Sequence, residues 1–259
     1  MISRIWTDHS QNHQASDPCN WAPNGAPQPG DTLSMTQGVM DISGHDLAGD
    51  TLGVDTQGFS SGVELDTREA ARLNLGLQFA NVHSDIHGVV KLTADVRQSQ
   101  LHTSGGTIRF IGTNTFVGAD QLKFDSNLTG SATLDLFGGG GEGIAMEIDG
   151  RVGRGLTFDI HAAIPVVGLT IDQPHHFKGL IEAPSGVEYV AFMGLHATSA
   201  NLRDDMLRMF DGHRLVDTVR INTGAAFTLE QNSAGVMLSQ GSDVVQPGGP
   251  GTVIPVHTA

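Results

Sequence analysis

The chain contains a single cysteine, Cys19, so no disulfide bond can form within the molecule. An isolated cysteine usually serves as a small apolar side chain, and we expect Cys19 to be buried or half-buried. Aromatic residues are also scarce, at 5% of the chain. The sequence therefore predicts neither a disulfide framework nor a core built on large rings.

Positive charge is scarce as well. The chain has 14 Lys and Arg residues against 28 Asp and Glu residues, for a formal charge of -14. Nucleic acids and anionic membrane surfaces are bound through clustered cations, so we expect neither as a partner. The 39% of hydrophobic residues and only 16% of charged residues argue against intrinsic disorder.

Long hydrophobic runs are missing. No stretch approaches the length of about 18 apolar residues that a membrane-spanning helix needs, so membrane insertion is not expected. The first residues also lack the apolar run of a conventional signal peptide. We expect an extracellular or cell-surface protein that is exported without such a signal or whose leader has been removed.

What the chain does contain is glycine, with 34 residues, and many short stretches in which apolar and polar residues alternate. Alternation with a period of two residues indicates a β-strand with one buried face. The stretches cover residues 63–66, 72–75, 89–92, 107–111, 121–124, 132–136, 145–148, 156–160, 169–171, 177–181, 190–193, 219–221, 227–229 and 236–238.

The spacing of these stretches suits either a β-sandwich or a β-solenoid. Their short length, their aliphatic buried positions and the Gly and Asn residues between them favour the solenoid. The sequence therefore predicts an all-β protein whose residues 31–240 form a single right-handed parallel β-helix. Two strands per coil would give a coil of about 20–25 residues.

The two ends differ from this repeat. Residues 1–30 are rich in proline and polar residues and hold both tryptophans, Trp6 and Trp21, which we expect to cap the open end of the core. Residues 241–259 are rich in proline and glycine and form either a flexible tail or a tether. If they form a tether, Val253 and Ile254 would add a strand to an exposed sheet edge. That edge would belong either to their own chain or to a neighbouring copy, to which they would act as a donor strand.

A β-hairpin is predicted near residues 206–221. Asp211 and Gly212 stand between two alternating stretches, and both residue types tolerate the positive φ angles of a type I′ turn.

The leader also carries a resemblance. Trp6-Thr7, the run from Asp17 to Pro27, and Gly30-Asp31-Thr32 resemble the start of bacterial autotransporter passengers and other surface β-helix proteins. A second segment, Leu195 to Ser199 followed by Asp205-Met206-Leu207, is similar to one in extracellular proteins of alphaproteobacteria. These resemblances imply a right-handed β-helix and a location outside the cell, and fold-level analogy implies no activity.

Motifs for metal, phosphate and hydrolase chemistry are missing from the sequence. His83 and His87 have a spacing that suits zinc on a helix, but a strand-like stretch follows them and favours a loop. Calcium loops, phosphate-binding loops and nucleophile elbows do not occur. We therefore expect no cofactor, no metal and no catalytic residue.

Four carboxylates stand at outward positions of successive strands, namely Asp135, Glu147, Asp159 and Asp172. With two strands per coil, Asp135 would neighbour Asp159, and Glu147 would neighbour Asp172. Carboxylates about 5 Å apart can hydrolyse glycosidic bonds, although solvated outward positions explain these residues equally well.

The sequence thus predicts an extracellular structural or adhesive solenoid that is not an enzyme. It would associate with itself head to tail into filaments or biofilm matrix, or it would attach to a cell-surface glycan. The alternative is a β-helix that binds or cleaves polysaccharide, either a surface enzyme or a tailspike-like protein.

Overall fold

A computed structural model describes residues 2–44, 46–54, 63–67, 71–78, 80–118, 121–138, 143–161, 167–185, 189–223, 227–240 and 252–258. These residues form 25 strands in two sheets and two 3₁₀ turns, Pro18–Asn20 and Pro174–His176. Within the described ranges, the structure has no helix of the length and hydrophobicity needed to cross a membrane.

The strands are numbered in chain order across both sheets. Sheet A contains β1 (Ser3–Trp6), β2 (Trp21–Ala22), β3 (Thr32–Met35), β5 (Asp46–Val54), β7 (Ala71–Gln78), β9 (Val89–Arg97), β11 (Thr107–Val117), β13 (Asn127–Phe137), β15 (Leu156–His161), β17 (Leu180–Ser185), β19 (Ser199–Arg203), β20 (Met206–Asp211), β21 (Arg214–Thr223) and β25 (Val256–Thr258). Sheet B contains β4 (Gly38–Asp41), β6 (Val63–Asp66), β8 (Asn81–Asp85), β10 (Gln100–Ser104), β12 (Gln121–Phe124), β14 (Ile144–Ile148), β16 (Val167–Ile171), β18 (Tyr189–Met193), β22 (Thr228–Gln231), β23 (Gly235–Ser239) and β24 (Thr252–Ile254).

From β3 to β18 successive strands alternate between the two sheets, and each strand pairs in parallel with the strand one coil away. One coil therefore consists of one strand of sheet A and one strand of sheet B. Its length runs from 18 residues (Val89 to Thr107) to 26 residues (Asp46 to Arg72). This confirms the predicted parallel β-solenoid with two strands per coil.

The core lies between the two sheets and is built from the inward residues of each alternating strand. Equivalent residues of neighbouring coils stack in register, as Leu73 does on Leu92 and Leu92 on Phe110. All three are at most 4% exposed. Burial of such aliphatic columns removes apolar surface from water on every coil, and this is the main stabilising contribution of the fold.

Phenylalanines pack against one another in the core of the middle coils. Phe110 and Phe116 each make an edge-to-face contact with Phe124, with ring centroids 6.1 and 6.5 Å apart. All three rings are fully buried. These three rings therefore pack together inside the core.

Strand β11 bends where its buried residue changes from apolar to polar. Asn114 is fully buried, and its Oδ1 accepts a hydrogen bond from the amide of Ala94 on the preceding coil (2.8 Å). Its Nδ2 donates to the carbonyl oxygens of Ile111 and of Thr133 on the next coil, at 3.4 Å each. The side chain therefore supplies hydrogen bonds to backbone groups of three coils at the bend.

Gly130 allows two coils to approach closely at the same corner. Its φ is +117°, and a Cβ atom added there would lie 2.1 Å from the carbonyl oxygen of Phe110. Only glycine meets both conditions without a shift of the backbone.

The N-terminal end of the core is covered by the leader. Trp21 is fully buried, and its indole nitrogen donates to the carbonyl oxygen of Ala15 (2.8 Å). Trp6 packs edge-on against it, with ring centroids 5.2 Å apart. Strand β1 also pairs in parallel with β3 and in antiparallel with β2, so the leader continues sheet A by two strands.

At the C-terminal end the pairing becomes antiparallel. Strand β23 pairs with β18 and with β22, and β24 adds to β22, with Val253 opposite Glu230. In sheet A, strands β19, β20 and β21 are antiparallel, and β25 pairs in parallel with β19. Of the predicted tail, residues 241–251 lie outside the described residues, whereas residues 252–258 extend both sheets of their own chain.

The predicted hairpin forms between β20 and β21, but its turn is shifted by one residue. Gly212 and His213 connect the pair Asp211 and Arg214, and of these residues only Gly212 has a positive φ. The two successive positive φ angles that a type I′ turn needs occur one hairpin earlier, between β19 and β20. There Asp204 and Asp205 have φ of 51° and 57°.

The expectation for Cys19 is wrong, since its side chain is exposed. Asp17 caps the 3₁₀ turn Pro18–Asn20 by accepting a hydrogen bond from the amide of Cys19. The turn buries Asn20 instead and leaves Cys19 on the outside.

Candidate functional site

The outer face of sheet B carries a row of polar side chains that runs from coil to coil. His83, His102, Lys123, Glu147 and Thr170 pair in register on five successive strands, β8 to β16. We call this row the central column. Because neighbouring strands are about 4.8 Å apart, the column presents one polar group at each step along the solenoid.

A second row lies beside the central column. It begins with the amides of Asn81, Gln100 and Gln121, which we call the amide column. On the next two coils the equivalent positions are Ala145 and Gly168, so large side chains are missing there and the surface is recessed. Amide groups offer both donors and acceptors to a ligand that lies in this recess.

Tyr189 closes the recess at one end. It pairs in register with Gly168, and its ring lies so close that a Cβ atom at Gly168 would be 2.5 Å from Tyr189 Cζ. Glycine at residue 168 therefore leaves the space that the hydroxyl end of the Tyr189 ring occupies. The amide column, part of the central column and Tyr189 together line an open groove of about 350 Å³.

Two carboxylates contact side chains of the central column, Asp125 from beside the column and Glu147 from within it. Asp125 accepts a hydrogen-bonding contact from His102 Nε2 (2.8 Å), and Glu147 Oε1 accepts from Lys123 Nζ (2.7 Å). The bond to Glu147 is the main cause that raises the pKa of Lys123, which keeps this residue charged. The cation is thus paired with a carboxylate, which offsets part of its charge toward an anionic ligand.

Asp172 lies at the edge of the same face. Burial is the main cause that raises its pKa, and the nearby charges of Glu147 and Asp149 raise it further. This part of the face is therefore acidic and partly shielded from solvent.

The predicted carboxylate neighbours are found on two different faces. Asp135 and Asp159 pair in register on β13 and β15 of sheet A, as two strands per coil requires. Glu147 pairs in register with Thr170 rather than with Asp172, which stands two residues further on and reaches back to Glu147. The four carboxylates therefore form two separate pairs and no single ladder.

The histidines considered for zinc do not meet. His83 lies on β8 and packs edge-on against His102, with ring centroids 4.8 Å apart. His87 lies in the following turn, with its Nε2 3.3 Å from Asp85 Oδ2. Across the described part of the chain, the single group of three clustered metal-ligand side chains is Asp135, Asp159 and His161 on sheet A.

The four residues predicted to cap or assemble lie at the ends of the solenoid. Trp6 and Trp21 are buried under the leader at one end. At the other end Ile254 is buried, whereas Val253 on the edge strand β24 is 63% exposed.

Sequence reasoning missed Tyr189, the recess at Ala145 and Gly168, and His161. The sequence held two weak signals for these residues. Tyr189 is the one tyrosine of the chain, and His161 follows Asp159 at a spacing of two. Only the register between coils brings these residues beside their partners.

Comparisons with protein-family models, with curated proteins and with solved structures found no match to this chain. The resemblance of the leader to autotransporter passengers thus has no family match behind it. The fold itself is a parallel β-solenoid, and the function has to be argued from its surface.

Proposed function

We propose that the protein binds a neutral polysaccharide in the groove on the outer face of sheet B, and that it does so at the cell surface or outside the cell. The observation that carries this proposal is the alignment of Tyr189 with the recess and the amide column along one line of coils. An aromatic ring with a polar tip is suited to stack on the apolar face of a sugar. Amides and carboxylates beside it are suited to bind hydroxyl groups.

The shape of the face supports a chain-like ligand. The side chains of the central and amide columns repeat at the strand spacing, so successive units of an extended polymer would meet a similar set of groups. A groove of about 350 Å³ falls at the lower end of the range for ligand sites, and its open form leaves room for the chain to continue past it.

The charges favour a neutral sugar over an acidic one. Glu147 already binds Lys123, and Asp125 and Asp172 add negative charge beside it. The whole chain carries a formal charge of -14, which would repel uronates and sulfated polymers.

Binding without cleavage is the form of the function that we propose. The carboxylate of Glu147 is held by Lys123 (2.7 Å between Glu147 Oε1 and Lys123 Nζ), and it lies in register with Thr170 rather than with Asp172. Glycosidases use two carboxyl groups placed on opposite sides of the bond that is cleaved.

A glycan array followed by titration calorimetry with neutral and acidic polysaccharides tests the proposal. Ala145→Trp fills the recess at an exposed strand position and is expected to reduce the affinity for the neutral polymer at least about tenfold, equivalent to 1.4 kcal/mol. Ser131→Trp, at an exposed position of β13 in sheet A, is the matched control and should leave the affinity unchanged.

Equal binding by wild type and Ala145→Trp would contradict the proposal, and so would a preference for acidic polymers. Release of reducing ends from a bound polysaccharide would replace binding by hydrolysis as the function of the face.

Self-association is a second candidate function, and the exposed Val253 favours it. Strands β24 and β25 are three-residue edge strands, and residue 253 offers an apolar side chain at the free edge of sheet B. Exchange of this segment between copies would link them head to tail. We expect deletion of residues 241–259 to abolish fibres or oligomers seen by electron microscopy and light scattering, and undiminished assembly would refute this role.

A further inference from the structure

A cluster on sheet A, the sheet opposite the groove, carries a separate inference. We propose that Asp135, Asp159 and His161 bind a divalent transition-metal ion, with Zn²⁺ preferred. Each of the three residues offers a ligand atom, and these atoms all lie within 4.8 Å of one another.

The solenoid register brings the three residues together. Asp135 on β13 pairs with Asp159 on β15, so the two carboxylates face outward side by side on neighbouring coils. His161 stands two residues after Asp159 and therefore points to the same face of the sheet. Two coils contribute to the site, which forms only in the folded solenoid.

The imidazole is held in place by a ring contact. Phe137 pairs in register with His161, and the two rings are stacked with centroids 4.1 Å apart and planes 2° from parallel. This contact fixes the ring plane before any ligand binds. Orientation of a ligating histidine by its neighbours is a common feature of metal sites.

The spacing within the cluster suits a small ion. His161 Nε2 lies 3.3 Å from Asp159 Oδ2. Two ligands on a tetrahedral ion with bonds of about 2.0–2.1 Å are about 3.4 Å apart, so these atoms are already at that separation. Asp135 would complete three protein ligands and leave a fourth position for water.

The donor set selects the class of metal. One imidazole nitrogen with two carboxylate oxygens suits Zn²⁺ and its neighbours, whereas Ca²⁺ takes six to eight oxygen ligands. The two carboxylates also repel each other. A cation bound between these two carboxylates, which lie in register on neighbouring strands, would relieve that repulsion.

Titration calorimetry of the full chain with Zn²⁺ at neutral pH tests the proposal, and the visible absorption of bound Co²⁺ reports on the ligands. We expect one equivalent to bind, and we expect His161→Asn and Asp135→Asn each to weaken binding at least tenfold. His102→Asn is the matched control, because His102 also contacts an aspartate, Asp125, but lies on sheet B. It should bind Zn²⁺ as the wild type does.

Several results would overturn the site. They are failure of the wild type to bind Zn²⁺, unchanged binding by His161→Asn, and loss of binding in His102→Asn. Equal affinity for Ca²⁺ would overturn the choice of a transition metal.

Thermal unfolding without metal verifies that each variant is folded, and Asp135→Asn is expected to be at least as stable as wild type because it removes a like-charge contact. Because the readout is metal binding, the result is independent of the polysaccharide assay.

Discussion

Arg4 and Asp31 form a buried ion pair at the N-terminal end, in which Arg4 Nε lies 2.7 Å from Asp31 Oδ2. The pair fastens β1 to the residue that precedes β3, and Asp31 also accepts from the amide of Ile2 (2.8 Å). The hydrogen bond from Arg4 is the main cause that lowers the pKa of Asp31. The leader is thus tied to the first coil by charge as well as by the two tryptophans.

This ion pair predicts an acid-sensitive cap. A carboxylate whose pKa is lower in the folded state stabilises the protein above its unfolded pKa of about 3.9, and this contribution disappears as the pH falls through the folded value. We expect Asp31→Asn to lower the melting temperature at neutral pH, and we expect this effect to shrink as the pH falls below the unfolded pKa and through the lower folded pKa. Circular dichroism during heating measures the melting temperature at each pH.

The control for this prediction is Glu64→Gln, which changes an exposed carboxylate of sheet B. It should leave the melting temperature close to wild type at neutral pH and in acid. An effect of Asp31→Asn that is the same in acid and at neutral pH would contradict the role of the charge.

The buried Asn114 predicts a stability effect in the middle of the solenoid. Replacement by alanine leaves the amide of Ala94 and the carbonyl oxygens of Ile111 and Thr133 without this partner. We expect Asn114→Ala to lower the free energy of unfolding by about 3 kcal/mol, measured by urea denaturation. Asn222→Ala, at an exposed position of β21, should change it by less than about 0.5 kcal/mol.

Two glycines separate the effect of backbone angle from the effect of space. Gly112 has a φ of +68° with nothing within 4 Å of an added Cβ, so Gly112→Ala should cost only about 1–2 kcal/mol. Gly130→Ala adds a contact of 2.1 Å with the Phe110 carbonyl oxygen and should cost clearly more. Equal losses in the free energy of unfolding would show that the coils are not packed closely at this corner.

Asp172 predicts the opposite pH dependence from Asp31. Burial and its acidic neighbours raise its pKa, so the folded chain binds a proton more tightly than the unfolded chain, and stability from this group falls as the pH rises from the unfolded to the folded value. We expect Asp172→Asn to raise the melting temperature at neutral pH and to have little effect well below the unfolded pKa. A lower melting temperature at neutral pH would mean that the charged form is needed.

Much of the fold follows from the sequence because its information is local. The alternation of residues such as Leu134-Asp135-Leu136 indicates which side chains enter the core. The spacing and short length of such stretches, with Gly and Asn residues between them, favour a solenoid with two strands per coil. These features predict the pairing of Asp135 with Asp159, and the register confirms it.

The surface site depends on information that is not local. Tyr189 and Gly168 lie 21 residues apart, and their contact requires the register of two coils whose lengths vary. The same holds for Phe137 and His161. The position of a turn is also decided by pairing, which is why Asp204 and Asp205, and not Asp211 and Gly212, adopt the two left-handed conformations.

The last strands have a mechanical consequence. Only Pro255 separates β24 in sheet B from β25 in sheet A, and its carbonyl oxygen accepts from the amide of Ala200 (3.0 Å). A pull on the C-terminus would therefore load both walls of the coil together, through β19 on one side and β22 on the other. A protein anchored by this terminus to a surface would resist tension by shearing two short ladders before any coil unwinds.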